Sequence, residues 1–197
     1  MFDVLKVDNP GILRGTLPTN IYNSLMNEIR EIKINGSPNI HNDSLAGLME
    51  EEYVLKKSTS SLIPFLTEMS TEYVKIFNLK ISQLNVSDIW VNLQKKNEYN
   101  PAHKHNGILS FVIWMEIPYK ILDEFNMKSV KNSNGKTMAS TFQFMYHTLT
   151  GELVSHCLPV EKGWEGRIIM FPNALLHQVY PFKTSDDYRI SISGNLY

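Results

Sequence analysis

The sequence predicts a mainly β protein, a sandwich or jelly roll with helices packed on its outside. Apolar residues recur at three- and four-residue intervals up to about residue 85, and at alternating or continuous spacing beyond it. Past that point seven or so short strand-like runs follow one another across short turns, without the helical crossovers of a parallel α/β sheet. The chain therefore reads as one structural domain: a helical region over 1–85 packed on a β core over 86–197.

The first predicted helix covers 19–34, where Ile21, Leu25, Ile29 and Ile32 form a stripe behind a Thr19 or Asn20 cap. The second runs from about Ser61 to Leu79, with Leu62, Leu66, Met69, Tyr73, Ile76 and Phe77 on one face and Pro64 in the first turn. Between them, residues 35–53 begin as a loop and gain a helical turn or two. The β region opens with "VSDIWVNLQ", where Ile89, Val91 and Leu93 alternate against Trp90, Asn92 and Gln94. Residues 108–118, "ILSFVIWMEIP", are apolar on both faces, which predicts a central strand. A hairpin turning at Leu149-Thr150-Gly151-Glu152 joins the next two strands, and "GRIIMFP", "HQVYPF" and "YRISIS" supply three more. Residues 119–140 interrupt this rhythm with a polar stretch of the kind that forms lids or binding loops.

Composition bounds the function. The 197 residues are 43% hydrophobic and 20% charged, the balance of an ordinary globular protein. A formal net charge of −1 supplies no global field for nucleic acid or an anionic membrane. Cys157 is the only cysteine, so no internal disulfide forms and a transition metal would depend on imidazole and oxygen ligands. The N-terminal stretch carries Asp3, Lys6 and Asp8 in place of a secretory apolar core, and no run approaches a bilayer span. A soluble, cytoplasmic protein is expected.

Three histidines and an arginine carry the chemistry. His103 and His105 in "NPAHKHNG" are two residues apart, so in an extended segment both point to one face and can grip one ion. His177 in "FPNALLHQVYPF" would close the site from another strand. Neutral imidazole suits Zn, Fe, Cu and Ni, and three protein ligands leave coordination positions open for catalysis. In "RISIS", Arg189, Ser191 and Ser193 share one face and Ile190 and Ile192 the other, with Arg189 near the start of the strand next to that of His177. An arginine pointing into an apolar barrel calls for an anion, and a carboxylate held bidentately answers that need. Asn92, on the Trp90 face, is a further contact for such a co-substrate.

In "HKHNGILSFVIWMEIP", "GRIIMFPNALLHQVYPF" and "RISISGN", within residues 88–195, the order of motifs resembles the 2-oxoglutarate- and Fe(II)-dependent dioxygenase superfamily. The likeness is greatest to a His-x-His branch of oxygenases found in phages and bacteria. The resemblance implies a double-stranded β-helix core, Fe(II) at His103, His105 and His177, and 2-oxoglutarate held by Arg189 and Ser191. It implies hydroxylation of a substrate C–H bond by O2, with decarboxylation of 2-oxoglutarate to succinate. His105 stands where the common motif has a carboxylate; none of Asp88, Asp123, Asp186 and Asp187 has the two-residue spacing from His103. Three neutral ligands leave the metal more positive, which favours an anionic keto acid.

Two other classes fit the same residues. "GRIIMFPNALLH" also suits a cupin-type metalloprotein that does not use 2-oxoglutarate, although the cupin glutamate after the His-x-His pair is missing. A non-catalytic jelly-roll virion or scaffold component is the third. The prime substrate, a peptide or a small molecule, and the oligomeric state are not legible. Among the remaining residues, His147 and His156 flank the Gly151 hairpin as surface residues able to approach across it, and His41 reads as solvated. Cys157 reads as a small buried apolar residue, Trp90, Trp114 and Trp164 as core or rim residues, with Trp114 in alternation with Ser110 and so able to line the cavity, and Lys95 and Lys96 as a solvated charge run.

Overall fold

In a computed structural model, which describes residues 10–36, 48–128, 131, 137–148 and 150–197, two antiparallel sheets lie face to face. In chain order the strands are β1 (Leu13–Thr16), β2 (Glu52–Val54), β3 (Val86–Gln94), β4 (Asn100–His103), β5 (Leu109–Glu116), β6 (Thr141–His147), β7 (Leu153–Pro159), β8 (Arg167–Pro172), β9 (Leu176–Val179) and β10 (Arg189–Leu196). The six-stranded sheet has the order β1-β8-β5-β10-β3-β2 and the four-stranded sheet β4-β9-β6-β7. Apart from the β6–β7 hairpin, which stays within the four-stranded sheet, strands β3 to β10 alternate between the sheets in the winding of a double-stranded β-helix. The helices are α1 (Thr19–Asn35), α2 (Thr59–Ile76) and the short α3 (Ile121–Asn126).

The alternating strands have two cores to serve, because the six-stranded sheet is buried on both sides. Ile89, Val91, Leu93, Phe111, Ile113, Met115, Ile190 and Ile192 pack under α1 and α2, with Leu25, Ile29, Leu62, Leu66 and Tyr73. Val112, Trp114, Ile169 and Phe171 face inward, against Phe142 and Phe144 of the other sheet. This double burial is why β5, the most apolar run, lies centrally between β8 and β10.

The helices are placed outside the sheet, as expected, with corrected ends. Helix α1 begins at Thr19 with Pro18 at its cap position, and no side chain caps it. All four stripe residues are buried. Helix α2 begins at Thr59, so Pro64 lies in the second turn rather than the first. It ends at Ile76, which is exposed, and Phe77 lies beyond it. The carboxylate of Glu28 on α1 accepts N–H bonds from Lys56, Lys57 and Ser58 and the Ser58 hydroxyl, tying α1 to the start of α2. Burial alone would raise the pKa of this carboxyl; the four donors outweigh burial and hold it below its ordinary value.

Strands β1 and β2 were not legible as strands: each is short and gains its place only by pairing with β8 and β3. The expected loop and turn over 35–53 falls largely outside the described residues, as does His41. Leu149 of the expected turn also does, but β6 and β7 pair as a hairpin around it. In that register His147 is opposite Leu153 and His156 opposite Phe144, so the two histidines do not meet. Cys157 is half-buried, with Met138 and Gln143 beside its sulfur. Lys95 and Lys96 are ion-paired, with Glu50 and Glu51 and with Asp186.

Candidate functional site

The three histidines meet between the sheets. His103 is the last residue of β4 and lies opposite His177 of β9 in the ladder. His105 is not on a strand, contrary to the expected extended His-x-His pair. It lies in the segment after β4, where Asn173 holds it twice: the His105 N–H donates to the Asn173 carbonyl (3.0 Å), and Asn173 Nδ2 donates to the His105 carbonyl (2.9 Å). The chain then turns back into β5 at Gly107, whose φ of 106° suits glycine. A Cβ there would sit 2.8 Å from the Leu196 carbonyl oxygen.

One ring nitrogen from each histidine lies within 4.8 Å of those from the other two. The tautomers follow from backbone contacts. Nδ1 of His103 lies 2.7 Å from the Pro101 carbonyl and Nδ1 of His177 lies 2.9 Å from the Leu175 carbonyl. A carbonyl only accepts, so Nδ1 carries the proton in each ring and Nε2 keeps its lone pair. Burial drives the His177 imidazole down to about 3, reinforced by the neighbouring His103. Burial, then His103, takes His105 down to about 4. His103 is lowered by burial, partly offset by the Pro101 carbonyl. All three are neutral at pH 7, the state that ligates a metal. Phe142 stacks on His177 at 5.6 Å and Phe171 meets its edge at 5.0 Å, so the ring is clamped.

Arg189, the first residue of β10, shares this cavity with Asn92, Trp114, Ser191, Ser193 and the histidines. Its strand is not the neighbour of β9, contrary to the expectation from the sequence: β9 and β10 belong to opposite sheets. The guanidinium is 3% exposed and makes no ion pair among the described residues. Every acceptor around it is neutral. Nε and Nη2 donate to Gln94 Oε1 (2.9 and 2.7 Å), Nη2 also to the Tyr180 carbonyl (2.7 Å), and Nη1 to the Tyr119 hydroxyl (3.0 Å) and the Ser140 carbonyl (3.4 Å). Asn92 Nδ2 donates to the hydroxyls of Ser191 (3.2 Å) and Ser193 (3.3 Å). Its Oδ1 is buried in the cavity wall with no hydrogen-bond partner among the described residues, and so is that of Asn100.

All six residues singled out in the sequence therefore line one cavity. Those that the sequence reading missed are Gln94, Tyr119, Ser140, Asn173 and Tyr180. Alternation along β3 already placed Gln94 on the Asn92 face; the others act through turns and carbonyls that carry no periodic signal. The polar insertion contributes here, since Tyr119 and Ser140 come from its two ends, while 129–130 and 132–136 lie outside the described residues.

The fold is that of solved oxygenases. A prolyl-4-hydroxylase from Pseudomonas putida superposes with a TM-score of 0.60 at 13% identity, over 94% of this chain and 91% of that one. A Trichoplax adhaerens prolyl hydroxylase, solved with a hypoxia-inducible-factor peptide fragment, gives 0.57 at 9% identity, over 96% and 84%. HygX from Streptomyces hygroscopicus, with nickel and 2-oxoglutarate bound, gives 0.53 at 12% identity, over 95% and 82%. No protein of curated function matches the chain by sequence. Residues 88–195, more than half the chain, match the sequence family described as "Putative 2OG-Fe(II) oxygenase". The protein belongs to that family and is an oxygenase that uses Fe(II) and 2-oxoglutarate.

Proposed function

We propose that His103, His105 and His177 hold the Fe(II), and that Arg189, Ser191 and Asn92 seat 2-oxoglutarate beside it for hydroxylation of a C–H bond in a second substrate. The observation that carries this reading is the sharing of one cavity by three neutral, convergent imidazoles and a buried guanidinium without a carboxylate. The imidazole set fits a borderline transition metal, and the fixed Nδ1 protons aim the remaining lone pairs. When bound, the iron supplies the redox chemistry that couples O2 reduction and loss of CO2 from 2-oxoglutarate to hydroxylation.

The chain's own residues bind, orient and exclude water. Arg189 neutralises a carboxylate that would otherwise be buried without a counter-charge. Ser191 offers a hydroxyl two residues along the same face, and Asn92 holds that hydroxyl in place. Trp114, Phe142 and Phe171 keep the cavity apolar, which strengthens each polar contact made there. Prime substrates to test first are proline-containing peptides, since three of the structures that share the fold are prolyl hydroxylases.

The test is an anaerobic titration of the protein with Fe(II) and then 2-oxoglutarate. A weak visible charge-transfer band should appear on chelation, and succinate should form when O2 is admitted. Metal binding without that band would overturn the seating of 2-oxoglutarate at Arg189, Ser191 and Asn92, and failure to bind any divalent metal would overturn the three-histidine site.

A further inference from the structure

The edge of Arg189 that fits a carboxylate is already in use. A carboxylate can meet a guanidinium side-on, along its Nε and Nη2 edge, with two parallel N–H···O bonds. Here one atom, Gln94 Oε1, accepts from both of these nitrogens, at 2.9 and 2.7 Å. The contact is built into the sheet: Arg189 and Gln94 are direct partners across β10 and β3, and Gln94 Nε2 donates to the Glu98 carbonyl at the end of the β3–β4 turn. Gln94 is 4% exposed and lines the cavity with Arg189. The two N–H groups of Nη1 are spent on Tyr119 and Ser140, and the second N–H of Nη2 on Tyr180. No other edge of the guanidinium is open to an incoming anion.

We infer that Gln94 is the internal occupant of the carboxylate seat on Arg189, and that a dicarboxylic keto acid binds by displacing it. This rests on the reading of Arg189 given above. The exchange is favourable in kind, because a neutral amide oxygen gives way to a carboxylate and the buried guanidinium gains its counter-charge. It also confers selectivity. A keto acid with no distal carboxylate, such as pyruvate, has nothing with which to displace Gln94, and its binding is independent of the residue at 94.

The experiment measures 2-oxoglutarate and pyruvate affinity calorimetrically on the Zn(II)-loaded, full-length protein. The variants are Gln94→Glu, Gln94→Ala and Arg189→Ala, with metal stoichiometry and melting temperature as controls. Gln94→Glu puts a permanent carboxylate in the seat and should weaken 2-oxoglutarate by about 10- to 100-fold, the scale of a charge-assisted hydrogen bond, with pyruvate unchanged. Gln94→Ala empties the seat and should tighten 2-oxoglutarate by about 3- to 10-fold, the scale of a neutral hydrogen bond no longer broken. Wild-type affinity in Gln94→Glu, or weaker binding in Gln94→Ala, overturns the inference; if Arg189→Ala still loses 2-oxoglutarate, the reading of Arg189 survives. Should neither wild type nor Gln94→Ala bind 2-oxoglutarate with metal in place, both fall. Binding by Gln94→Ala alone upholds the plug. If Gln94→Glu does not fold, the side-chain amide resonance of Gln94 in the wild-type protein decides: it must shift on addition of 2-oxoglutarate, and a stationary signal overturns the inference.

Discussion

At the scale of single residues, the site depends on a few groups whose states are set by burial. His177 is a buried imidazole kept neutral and clamped between Phe142 and Phe171. His177→Ala should abolish metal binding and, with it, keto-acid binding. Arg189→Ala should leave metal stoichiometry intact and cost 2-oxoglutarate affinity by about 10-fold or more, the loss of a charge-assisted pair. Calorimetry with each ligand in turn separates the two effects; equal, negligible changes would remove both roles. Asn173 touches no metal-facing atom but holds the His105 backbone from both sides. Asn173→Ala should weaken metal affinity by about 10-fold, the low end for residues that orient ligands, as read by chelator competition.

At the scale of elements, two buried carboxylates act as ties. Glu124 of α3 accepts from the backbone N–H groups of Lys183 and Thr184 and from the Thr184 hydroxyl, anchoring the loop that leads into β10 and Arg189. Glu28 does the same between α1 and α2. Glu28→Gln should cost about 1.5–3 kcal/mol at pH 7, the worth of hydrogen bonds to a charged group, measured by chemical denaturation. The pH dependence has a definite sign. The folded state holds the Glu28 carboxyl below its ordinary, unfolded value, so its contribution is full above that value and is lost as pH falls through the folded one. The gap between wild type and Glu28→Gln should therefore shrink on acidification from pH 7 to pH 3. A gap independent of pH would show that the carboxylate's charge is not what holds the two helices.

At the scale of the whole molecule, the six-stranded sheet serves both the helices and the site. Leu66 is fully buried between α2 and the sheet. Leu66→Ala should cost about 2–5 kcal/mol by leaving a cavity. Metal stoichiometry should stay unchanged, because this core lies on the opposite face of the sheet from the cavity. Strands with a two-residue period or a doubly apolar run were legible because pleating and burial write themselves into neighbouring residues: β3, β5, β8, β10 and the β6–β7 hairpin are of this kind. The edge strands β1 and β2 are too short to show a period, and the cap and ends of the helices shifted because packing, not propensity, sets them.

What the sequence by itself determined is the chemistry available: three histidines in two motifs, an arginine facing serines on one strand, and apolar stripes enough for two cores. Only the tertiary structure decided which of these meet. It placed β9 and β10 in opposite sheets, brought His105 to the site from off a strand through Asn173, and set Gln94 against Arg189 across the ladder. The physical reason is range. Periodicity reports what a residue shares with neighbours a few positions away, whereas the site is made by pairings between residues tens of positions apart, whose register is chosen by the burial of both sheet faces at once.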